Sequence, residues 1–122
     1  MRIQYPKERI LNEDLVYRRV HKNLVPDGVI SPGALWITRN SSDAVSVDWN
    51  KYSTPLETRN RSLNPGNYAV VSLIAGKVRA IDALTVMHDP QPDNRAHSLI
   101  DGEKTDKTRV LLLEKCSMII PV

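Results

Sequence analysis

The run Asn67 to Ala75 (NYAVVSLIA) constrains the fold more than any other stretch. It is short, apolar and β-branched, with Asn64-Pro65-Gly66 before it and Gly76 behind it. Pro and Gly punctuate regular structure, so the run reads as one buried strand. It is the natural central strand of a sheet, and the remaining chain has to supply its neighbours. Lys77 to Ile81 (KVRAI) alternates again and reads as a second strand piece after Gly76.

Glu13 to His21 (EDLVYRRVH) is the first strong strand pattern. Successive side chains of a strand point to opposite faces, so Arg18 and Arg19 cannot share one. The arginine on the Val16 and Val20 side faces the core, where it must be paired or line a polar cleft. Pro26-Asp27-Gly28 and Ser31-Pro32-Gly33 are turn signatures. Ala34 to Arg39 reads as a short strand and Asn40 to Asp43 as a turn. In Ala44 to Trp49, Val45 and Val47 alternate with Ser46 and Asp48.

Thr54-Pro55-Leu56-Glu57 is a capping box with Pro at the first helical position, so a helix is expected within Ser53 to Leu63. Ala83 to Met87 and Ala96 to Ile100 read as strands either side of a polar stretch, and Asp101-Gly102 as a turn. A second helix is expected from Thr105, capped by Thr105 or Asp106. Its apolar face would carry Val110, Leu113 and Cys116 or Ser117, flanked by Leu111 and Leu112. Met118 to Val122 reads as a last strand, and Met1 to Asn12 as an extended arm. The expectation is a single α+β domain over residues 1–122: a mostly antiparallel sheet with two helices packed on it.

A chain of 122 residues with 41% hydrophobic residues has enough apolar material for one core without covalent staples. Cys116 is the single cysteine, so no internal disulfide exists, which suits a reducing compartment. It lies in an apolar stretch and is expected to behave as a small buried hydrophobe. The N-terminus lacks the apolar segment of a secretion signal, and no run approaches the ~20 apolar residues of a membrane span. The expected location is the cytoplasm, without membrane contact.

The net charge of +3 permits contact with nucleic acid but does not favour it, because no Lys/Arg run or nucleic-acid module is present. Arg59, Arg61, Lys77 and Arg79 are the residues that could extend a basic face. Neither a P-loop nor GxGxxG occurs, and no cofactor is expected.

The polar stretch Ala83 to Lys104 is where a site is expected. It carries His88, Asp89 and His97, which suit general acid-base chemistry, with Asp89 orienting a histidine. Two His and a carboxylate can also ligate a metal, but no HxH, HxxxH or HExxH spacing occurs, and no metal is expected. The bland alternative is a loop whose Asp89, Asp93 and Asn94 satisfy turn amides. Arg18 and Arg19, with His21 nearby and Asn94 as a further ligand-binding candidate, form the expected anion site, because guanidinium grips phosphate or carboxylate bidentately. Otherwise the inward arginine pairs with Asp48 or Asp89. A Ser/His/Asp set can be drawn from Ser46 or Ser98, His88 or His97, and Asp48 or Asp89, although no GxSxG elbow supports it.

VYRRVH at 16–21, SVDW at 46–49, YSTPLETR at 52–59 and HDPQPDNRAHSLIDGEKT at 88–105 together resemble a family of short uncharacterised bacterial proteins. The resemblance runs from Val16 onward and implies a stand-alone bacterial cytoplasmic domain. It carries no activity and no site residues with it. A looser, fold-level analogy to ADP-ribosyltransferase-like folds would use Arg18 or Arg19, Ser46 and Glu103.

Three functions are therefore carried forward. The first is an interaction or regulatory module in a multiprotein assembly, pairing through a sheet edge with another protein. The second is a small enzyme acting on a phosphorylated or nucleotide ligand through Arg, His and Asp. The third is nucleic-acid binding. The oligomeric state stays open.

Overall fold

The computed structural model describes residues 4–31, 44–103 and 105–122. Its elements in chain order are β1 (Leu15–His21), β2 (Val45–Trp49), α1 (Pro55–Asn60), β3 (Tyr68–Ile74) and α2 (Ala75–Arg79). They continue as β4 (Thr85–His88), β5 (His97–Asp101), α3 (Asp106–Lys115) and β6 (Ser117–Ile120). The strands form one six-stranded sheet in the order β4-β5-β2-β1-β3-β6, antiparallel at every pairing. Among the described residues the chain is an α+β fold with three α-helices, one more than the sequence suggests.

Register assigns the two faces. Val16, Arg18 and Val20 of β1 lie opposite Leu73, Val71 and Ala69 of β3 and share their face with Val47 and Trp49. This is the core face, and α2 and α3 close it with Val78 and Leu112. Ile10, from the irregular N-terminal arm, also enters this core and is only 1% exposed. The other face carries Tyr17, Arg19, Ser46, Asp48 and His97, and α1 lies over part of it. Alternation along β2 is as the sequence reads, with Val45 and Val47 buried and Ser46 exposed.

The innermost strands are β2 and β1, not β3. β3 is nonetheless paired on both sides and buried over five consecutive residues. The KVRAI piece is helical, not extended. Ala75, Val78 and Ile81 are spaced by three and all bury, a spacing that suits one helix face as well as alternation suits a strand. The chain leaves the sheet there because Gly76 packs against the arm. Its N–H donates to the Asn12 carbonyl at 2.9 Å, and a Cβ at Gly76 would stand 2.9 Å from that same oxygen.

The capping box is present, with Thr54 Oγ1 accepting from Glu57 N–H and Glu57 Oε1 accepting from Thr54 N–H. Thr105, not Asp106, caps α3. The buried face of α3 centres on Leu112, while Val110 is 48% exposed. Three successive leucines wrap most of the way round a helix, so the sheet's position, not the local pattern, decides which one is buried. The expected strand at Ala34 to Arg39 and the turn at Asn40 to Asp43 lie outside the described residues. Asp27 and Gly28 adopt positive φ (55° and 79°), which makes Pro-Asp-Gly the turn expected of it.

Candidate functional site

β1 and β2 are paired only at Val16–Trp49 and Tyr17–Asp48. Continuing that register would set Arg18 opposite Val47 and Arg19 opposite Ser46. Instead the strands part, while β1 stays paired to β3 along its whole length and β2 to β5 at Val45 to Asp48. A cleft of about 870 Å³ lies at this opening. Arg18, Arg19, Ser46, Asp48, Asn94 and His97 line it, with Tyr17, Tyr68 and Arg61 at its sides.

Arg18 is the arginine on the core face, beside Val16 and Val20. Its Nη1 donates to the Ser46 carbonyl at 2.8 Å, so a guanidinium stands where a strand ladder would otherwise continue. Burial pulls its pKa down to about 10, and the neighbouring Arg19 charge adds to that, leaving it cationic at neutral pH. Neither Asp48 nor Asp89 pairs with it, contrary to the sequence expectation: Asp48 pairs with Arg61 and Asp89 with His97.

Arg19 points to the other face, and its Nη1 donates to the Thr58 carbonyl of α1 at 2.8 Å. Among the described residues no carboxylate lies within ion-pair distance of it. It is a half-buried cation on the cleft wall, and among the described residues the Thr58 carbonyl engages one of its five N–H donors. His21, farther along the same face, accepts from Asn23 N–H and stacks edge-on against Tyr68.

Asp48 fastens the cleft together. One of its oxygens accepts from Thr58 Oγ1 at 2.9 Å and Arg61 Nη1 at 2.7 Å, and the other accepts from Asn94 Nδ2 at 2.8 Å. Asn94 Oδ1 accepts from Ala96 N–H at 3.1 Å, as a turn-forming Asn does. The carboxylate of β2 thus holds both α1 and the loop between β4 and β5.

The two candidate histidines do not meet. His88 lies on the core face, 3% exposed, against Trp49 and Tyr52. Its Nδ1 accepts from Glu8 N–H at 3.0 Å, which leaves Nε2 to donate to the Arg95 carbonyl at 2.7 Å. Both ring nitrogens are engaged in tying the arm to the loop. His97 lies on the cleft face, directly across from Asp48. Its Nδ1 meets two acceptors, the Asp89 carbonyl at 3.0 Å and Asp89 Oδ2 at 3.1 Å. Nδ1 therefore donates, and the lone pair of Nε2 faces Ser46 Oγ at 3.3 Å.

Ser46, His97 and Asp89 thus form a connected line, one of the combinations the sequence allowed. Ser98 is buried on the core face and donates to the Ala96 carbonyl. Glu103 is exposed beyond β5 and does not line the cleft. Arg59, Arg61 and Arg79 do not make a common basic face. α1 and α2 lie on opposite sides of the sheet, and these arginines bond Pro65, Asp48 and Val86 respectively. Among the described residues no group of three or more His, Cys, Asp and Glu is placed to hold a metal, and no helix is long and apolar enough to cross a membrane.

Sequence reading missed Thr58 and undervalued Arg61. The usable signal is their spacing of three on a capped helix, which puts both on one face. Cys116 is half-buried, packs on the core and donates to the Leu112 carbonyl. Burial pushes its thiol up to about 12, slightly offset by Arg18, so it stays protonated. No family model, no curated protein and no solved structure matches this chain.

Proposed function

We propose that the protein is a small enzyme acting on a phosphorylated or nucleotide ligand held in the cleft between β1 and β2. The observation that carries this reading is Arg19, a cation without a carboxylate partner among the described residues, in the same cleft as a histidine whose tautomer Asp89 sets. Arg19, helped by Arg18, holds the anion through charge-assisted hydrogen bonds. His97 moves the proton, and Asp89 orients it. Tyr68, half-buried at the side of the cleft, offers aromatic surface for a base or another ring.

The test is binding and turnover. A panel of nucleotides and phosphate esters is screened by thermal shift and by product release. Arg19→Ala is expected to abolish binding, and His97→Ala to lower turnover by at least 10²-fold, each with a nearly unchanged melting temperature. If both variants instead unfold the protein, these residues are structural and the reading fails.

The outer strands favour a second reading as an interaction module. Among the described residues β4 and β6 are the sheet edges, with Met87 46% and Ile119 41% exposed. A purified native protein that runs as a lone monomer with nothing bound would end that reading.

A further inference from the structure

We infer that Ser46 is the nucleophile of a covalent phosphoryl-transfer step, activated by His97 and Asp89; this rests on reading the cleft as a phosphate-ester site. Three observations support it. The first is tautomer control. Both partners of His97 Nδ1 are oxygen acceptors belonging to Asp89, so its Nε2 is the acceptor for the Ser46 hydroxyl. The 3.3 Å separation suits a ligand-free nucleophile and base, whose contacts tighten when substrate arrives.

The second is rigidity. Ser46 sits mid-strand, paired to Leu99 of β5, and its carbonyl is gripped by Arg18. Its side chain nevertheless reaches the cleft, because β1 has parted from β2 at this position. The third is the position of Arg19. By register it is the residue that would face Ser46, and the space between them is the cleft. A phosphoryl group resting there would have the guanidinium on one side and the hydroxyl on the other.

The chemistry balances without a further reactant except water. Ser46 Oγ bonds to phosphorus as the bond from phosphorus to the ester oxygen breaks. The hydroxyl proton passes to His97 Nε2 and then to the departing alkoxide, while the Asp89 carboxylate stabilises the imidazolium. Water then attacks the phosphoserine and gives a proton to Nε2, and Ser46 Oγ takes that proton back. The net change is hydrolysis of a phosphate ester to an alcohol and phosphate.

The probe is a fluorophosphonate, a phosphorus electrophile that loses fluoride to an activated serine. The full chain is labelled, and the adduct is located by peptide mass spectrometry. One adduct is expected, on Ser46, and none in Ser46→Ala. The labelling rate should fall about 10²-fold or more in both His97→Ala and His97→Gln. Inorganic phosphate should slow labelling of the native chain but not of Arg19→Ala. Melting temperatures of all variants are measured alongside.

Absence of an adduct on Ser46, or equal labelling rates with and without His97 in folded protein, overturns the nucleophile. If phosphate still stabilises the native chain but not Arg19→Ala in that case, the anion site survives without it. Labelling of Ser46 that phosphate fails to slow upholds the nucleophile and overturns the anion reading.

Discussion

Asp48 is a carboxylate almost without water, 5% exposed, and its charge is borne by Arg61, Thr58 and Asn94. Removing one partner of such a set leaves the others desolvated and unpaired. Asp48→Ala is expected to cost about 3 kcal/mol in denaturant unfolding, at the low end for a buried pair because Arg61 keeps some solvent. Ser46→Ala, on an exposed side chain, should stay within about 0.5 kcal/mol. If the two costs are equal, Asp48 does not organise the cleft. Alternation along β2 makes it legible that Ser46 and Asp48 share a face. That Asp48 supports the site while His97 faces Ser46 is not legible, because it depends on which strand pairs with β2. The arginine pair is similar. Local geometry requires Arg18 and Arg19 to diverge and sets Arg18 with Val16 and Val20, but Leu15 and Tyr17 make the other face apolar too, and the β3 register shows which face is the core.

At the scale of elements, α1 has six residues, too few to be stable on propensity alone. Its cap and its bonds to the sheet hold it in place. Thr54→Ala should cost about 1 kcal/mol. Glu57 is held below its ordinary value of 4.5 chiefly by the Thr54 backbone N–H, and Glu8 chiefly by Lys51 and then Tyr52. Carboxylates lowered by folding add stability that is complete above the ordinary value and is lost as pH falls through the folded one. Denaturant midpoints should therefore fall as pH drops below 4.5, and the fall should be shallower in Glu57→Gln. A midpoint indifferent to acid would contradict both contacts. α1 is legible because its cap is a local device. α2 is not, because five residues with apolar spacing of three also alternate, and the decision comes from the docking of Gly76 on Asn12. Gly102 shows another long-range constraint. A Cβ there would lie 2.1 Å from the Ala83 carbonyl, which the Asp101-Gly102 turn signal alone does not reveal.

Across the molecule, the N-terminal arm is part of the site's foundation. Glu8 contacts Lys51 and Tyr52, its N–H meets His88, and Arg95 lies over the rings of Tyr5 and Tyr52. These contacts set the loop that carries Asp89 and Asn94. A ligand that binds only the folded chain should raise its stability by about 2.7 kcal/mol at a hundredfold excess over Kd. That gain should vanish in Arg19→Ala. A gain that persists in Arg19→Ala would place the ligand elsewhere.

The parting of β1 from β2 also has a mechanical meaning. One plate, β4-β5-β2, carries the serine and histidine, and the other, β1-β3-β6, carries the arginines. The two are joined along a short seam: two residue pairs, the Asn50 N–H bond to the Leu15 carbonyl and the Arg18 bond to the Ser46 carbonyl. Anything that touches Arg19 and His97 together braces that seam. The Asn50 amide hydrogen, which donates across the seam to the Leu15 carbonyl, should then exchange more slowly when the cleft is filled, while those deep in the β1–β3 ladder barely change. The stiffness of the whole sheet would thus report whether its cleft is occupied.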